Sequence, residues 1–122
     1  VIALELIATL SIEMSLFSKA RPRVTSRGTF MPKAYKDKQK EMLRQVKEQW
    51  QKPPLEGPIR VELEAYGEGR ADTDNIAGAL FDSLNKVLWV DDRVAIIPEL
   101  EVKWKKAAKA DSKWLVKLYS LD

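Results

Sequence analysis

Four aspartates crowd the middle of this chain. Asp72 and Asp74 stand one residue apart in "ADTDN", and Asp91 and Asp92 are adjacent in "WVDD". Aspartate favours a helix N-cap, where a negative charge is worth about 0.3–1 kcal/mol. A cap accounts for one of the four and leaves three. Clustered carboxylates repel one another, and a divalent cation relieves that repulsion. The chain contains no cysteine and no histidine. Disulfides, thiolate metal sites, imidazole ligands and His triads are therefore excluded. Any metal would be held by oxygen, which points to Mg²⁺ or Mn²⁺. An ion on one or two carboxylates, completed by water and a substrate phosphate, suits phosphodiester hydrolysis. Nothing calls for a small-molecule cofactor.

The charge layout fits such a substrate. The net charge is +3, distributed as +6 over residues 1–54, −7 over 55–102 and +4 over 103–122. Basic flanks around an acidic centre would grip a polyanion while keeping cations beside it. Solvated faces in partial balance would look the same from sequence. Lys19, Arg21, Arg23, Arg27 and Lys33 are the leading phosphate contacts, because guanidinium forks match phosphate oxygens. Arg70, next to the acidic motif, is another. Lys103, Lys105, Lys106 and Lys109 would form a second positive rim.

The elements that must position these groups are legible as patterns. Residues 10–18 alternate apolar and polar, which predicts a strand with one buried face. Residues 19–33 carry two prolines and a glycine, which predicts a loop or short hairpin. Tyr35, Met42, Leu43, Val46 and Trp50 form a stripe that predicts a helix over 34–51, with both aromatics in the core. A second strand is expected over 59–67 and a second helix over 74–88. That helix would put Ile76, Ala77, Leu80, Phe81, Leu84, Val87 and Leu88 on one side and Asp74, Asn75, Gly78, Asp82 and Asn85 on the other. A strand interrupted by Pro98 is expected within 94–106, and a last one over 113–120. Trp104 and Trp114 would lie on these two strands, in the core or a dimer interface. The expected fold is a single small α/β (α+β) domain, β-α-β-α-β-β, with two helices packed on a mixed sheet. Residues 1–10 read as an N-terminal extension or strand, and 11–122 as the domain. The apolar start carries Glu5, lacks a basic flank and is too short to span a bilayer. The expectation is a cytoplasmic protein without membrane segment or targeting signal.

"DTDN", then "FDSL", then "WVDD" resembles the signature of RusA-type Holliday junction resolvases. "KARPRVTSRGTFMPKAY" resembles the basic segment of phage-type members, and the likeness spans about residues 11–120. It implies a homodimeric endodeoxyribonuclease of recombination and repair, often phage-borne. Such an enzyme binds four-way DNA junctions and cuts two opposed strands symmetrically, using Mg²⁺ or Mn²⁺. By position, Asp72, Asp74 and Asp92 match the catalytic, metal-holding acids, with Asn75 beside them and Asp91 as the fallback for Asp92. The family usually places a lysine three residues after the motif asparagine, and here that position is Gly78. Lys86, a partner-chain lysine or the 103–109 cluster could replace it. Asp82 reads either as an exposed helix residue or as a group that orients a ligand or a basic side chain. The departure at Gly78 leaves a rival reading, a junction-binding protein that does not cut. A domain whose aspartates only cap and solubilise is a third.

Overall fold

The computed structural model describes residues 4–121. Its elements are β1 (Leu4–Ile12), β2 (Arg23–Thr25), β3 (Gly28–Phe30), α1 (Lys33–Gln49), β4 (Ile59–Gly67), α2 (Thr73–Leu84), β5 (Glu99–Lys106), a 3₁₀ turn (Lys109–Asp111) and β6 (Lys113–Leu121). The principal sheet has the order β1-β6-β4-β5, and β2 and β3 form a separate hairpin. β6 runs antiparallel to both β1 and β4, whereas β5 runs parallel to β4. A parallel neighbour requires a crossover, and α2 provides it. The fold is α+β with a mixed sheet.

Strict alternation gives the sheet two unlike faces. Val61, Leu63 and Ala65 of β4 and Trp114, Val116 and Leu118 of β6 are buried beneath the helices. From α1, Tyr35, Met42 and Val46 enter this core; from α2, Ile76, Ala79, Leu80 and Leu84 do. The opposite face carries charge. Arg60 pairs with Glu62, Glu99 and Glu101, and Lys105 pairs with Glu64. One outer edge is closed by side chains rather than by a strand. Gln49 exchanges two hydrogen bonds with the backbone of Ser11, and Gln45 does the same with Glu13. Both glutamines project from α1, which locks the helix along β1 and satisfies groups that an edge strand leaves open.

Four local expectations are corrected. The first strand ends at Ile12 rather than running to residue 18. Residues 4–10, read as an extension or strand, form most of it and pair with β6, so the strand begins earlier than expected; residues 1–3 lie outside the described part. β5 begins after Pro98, so no proline interrupts it. The second helix stops at Leu84, and Lys86 sits at φ 68° in the left-handed region. Its N–H donates to Trp89 O at 2.7 Å, and Val90 N–H donates to Leu55 O at 3.0 Å. This turn tucks Leu88 and Trp89 into the core. Their apolar spacing continues the helical period, but a tight turn buries them instead. Asn85 and Lys86 therefore do not share the polar face of α2.

Candidate active site

β4 leaves the sheet at Gly67, and five residues later Asp72 opens α2. Asp72 has extended backbone angles, φ −71° and ψ 144°, and its carbonyl accepts from the N–H groups of Asn75 and Ile76 at 3.1 Å. Its side chain makes no capping hydrogen bond. Asp74 lies in the first helical turn, and both aspartates are exposed. Capping by a side-chain hydrogen bond is thus absent at Asp72: its backbone starts the helix, and both acids keep only the charge–dipole part of the capping role. Both acids stand, exposed, at the positive end of the α2 dipole.

Asp91 and Asp92 do not join them. They follow Val90, which is tied to Leu55, and precede Ile96, whose carbonyl accepts from Ile59 N–H at 2.9 Å. Both anchors lie at the entry of β4, whereas Asp72 lies past its exit. At about 3.3 Å per residue, β4 spans roughly 25 Å between those ends. No group of three or more acidic side chains stands close enough to hold a metal among the described residues. The expected convergence of Asp72, Asp74 and Asp92 is therefore absent within one chain. Asp91 is engaged locally: one oxygen accepts from Asp92 N–H at 2.8 Å and the other lies 3.4 Å from Arg93 Nε. The Asp92 side chain is exposed and carries no such bond among the described residues.

Asp82 sits two turns beyond Asp74 and does orient neighbours. The Tyr35 hydroxyl donates to Asp82 Oδ2 at 2.9 Å, and Lys19 Nζ lies 4.0 Å from Oδ1. Burial, then the Asp82 carboxylate, push the Tyr35 phenol well above its ordinary value. Core packing was the expectation for Tyr35, and its ring does pack edge-on against Phe17 at 5.8 Å. The hydroxyl contact, between residues 47 positions apart, has no sequence signal.

The basic segment lies at the same end as Asp72 and Asp74. Lys19 N–H donates to Asn75 O at 2.9 Å, stitching the segment onto the first turn of α2. Beyond it, Arg21, Arg23 and Arg27 are exposed, the last two on the β2–β3 hairpin, and Lys33 opens α1. Arg70 lines a concavity of about 440 Å³ together with Ser18, Pro32, Lys38 and Glu68. Lys106 and Lys109 are exposed near the exit of β4. Lys103 and Lys105 instead belong to the charged sheet face, beside Glu101 and Glu64. Lys86 lies beyond the far end of α2, away from Asp74 of its own chain. Trp114 is fully buried, whereas Trp104 is half exposed on β5 and donates to Gly67 O at 3.1 Å.

The family model for endodeoxyribonuclease RusA matches residues 13–113. No curated protein sequence matches the chain. The matched span contains the acidic pair, the hairpin, α2 and the second aspartate pair.

Proposed function

The chain belongs to the RusA family of endodeoxyribonucleases, and from that premise we propose that it resolves four-way DNA junctions by paired, metal-dependent nicks. The observation that supports this reading is the exposed acidic pair Asp72–Asp74 at the start of α2, onto whose first turn the Lys19–Asn75 backbone bond stitches the basic segment. These two residues would hold Mg²⁺ or Mn²⁺. When bound, such an ion activates water at neutral pH and stabilises charge on the phosphate oxygens. Arg21, Arg23, Arg27, Lys33 and Arg70 grip the backbone, positioning the strand without reading bases. The enzyme acts as a homodimer on cytoplasmic DNA in recombination and repair, in the phage-type setting of its basic segment.

The dimer also answers the separation of the acids. Asp92 lies too far along its own chain to join Asp72 and Asp74, so Asp92 of the partner subunit completes each centre. Two centres related by a two-fold axis then meet two opposed strands, which yields symmetric cuts.

A labelled four-way junction tests the reading. With Mg²⁺, the protein should release paired nicks that ligase seals. Asp74→Asn should reduce cutting by at least about 100-fold while binding is kept. Binding without cutting by the unaltered protein would instead establish the non-cleaving alternative.

A further inference from the structure

The cation missing from α2 has a physical replacement. Asp74, Gly78 and Asp82 recur every fourth residue and form one stripe along the helix. A Cβ placed on Gly78 would meet Lys19 Cδ at 3.1 Å and Lys19 Cβ at 3.4 Å. The space that a side chain at position 78 would occupy is already filled by the stem of Lys19. Three contacts hold it there. Its backbone N–H bonds Asn75 O at 2.9 Å, its methylenes lie on Gly78, and its ammonium lies 4.0 Å from Asp82 Oδ1. Tyr35 in turn fixes the other oxygen of Asp82.

We infer that Lys19 is the catalytic cation of this enzyme, reaching the scissile phosphate from the loop across Gly78. Resting on the nuclease reading above, this assigns Lys19 a role distinct from the other basic residues, which only grip DNA. The Lys19 side chain is 52% exposed, and its contact with Asp82 is at the outer limit of an ion pair. Incoming phosphate can therefore draw the ammonium away while the backbone bond to Asn75 keeps the stem anchored. Glycine at 78 eases this arrangement, because an added Cβ would press on Lys19 Cδ at 3.1 Å and a long side chain would compete with the stem for the same space.

The test compares four forms on a four-way junction: unaltered protein, Lys19→Ala, Gly78→Lys, and the double variant. Junction affinity is measured in EDTA, and single-turnover cleavage is measured with Mg²⁺ at saturating protein. Lys19→Ala should cut about 100-fold more slowly, with affinity in EDTA changed less than about threefold, as loss of one phosphate contact among several allows. Gly78→Lys alone should give no gain. In the double variant the helix lysine enters the vacated space, and cleavage should recover by at least about tenfold over Lys19→Ala. The inference is overturned if Lys19→Ala cuts at the normal rate once saturated, if only its affinity falls, or if the double variant stays as slow as Lys19→Ala. Failure of the unaltered protein to cut would overturn the nuclease reading itself, and is a separate outcome.

Discussion

At the scale of single residues, the polar chemistry of α2 is organised by side chains from elsewhere in the chain. Tyr35 shows this most directly. Its neutral phenol is the form that donates to Asp82, and burial with that contact raises its pKa above the ordinary value near 10. A group whose folded pKa is raised contributes stability that is fully present below the unfolded value. That contribution is lost as pH rises through the folded value. Tyr35→Phe should cost about 1–2 kcal/mol at neutral pH. Thermal melts should show a constant gap between the two proteins from pH 7 to 9.5 and a shrinking gap above pH 10. A gap independent of pH up to about pH 11 would mean that the Tyr35 phenol titrates alike in the folded and unfolded chain, against a contact that favours its neutral form. Residue types announced the acids and basic groups plainly, since "DTDN" and "WVDD" stand out on composition alone. Their distances did not follow. Lys19 and Gly78 are far apart in sequence, and nothing in either position signals that one fills the space of the other.

At the scale of elements, periodicity located β4, α1 and β6 almost to the residue because each keeps one period from end to end, two for the strands and about 3.6 for the helix. It failed where burial continues after the backbone geometry changes. Val87, Leu88 and Trp89 extend the apolar rhythm of α2, but the left-handed Lys86 has already ended the helix. The β2–β3 hairpin is the element with a separable task. All of its residues are exposed, including Val24 and Phe30, so altering it should spare the core. Replacing Arg23 and Arg27 together by alanine should weaken junction binding and flatten its salt dependence. Each lost phosphate contact lowers the log–log slope by about 0.9, so a drop near 1.8 is expected from titrations between 50 and 200 mM salt. An unchanged slope would place DNA elsewhere on the surface.

At the scale of the whole molecule, one sheet separates two acidic ends. Asp72 and Asp74 lie past the exit of β4, and Asp92 lies near its entry. Sequence order suggested that the chain folds back to unite them, but the crossover through α2 carries the second pair to the opposite end. Topology, which no local pattern encodes, decided this. Mixing two inactive variants reads it out. Asp74→Asn and Asp92→Asn should each be inactive alone. After denaturation and joint refolding, a heterodimer has one centre with both changes and one with neither. Nicking of one strand should return in the mixture, without the paired nick. If nothing returns, each protomer builds its own centre.

If the centre is shared between protomers as proposed, the length of β4 would act as a safeguard. A lone, newly made chain would hold its donors at two separate ends and stay chemically silent on any DNA it meets. Cleavage below the dimerisation threshold would rise with the square of protein abundance. Dilution alone would protect a chromosome from stray breaks.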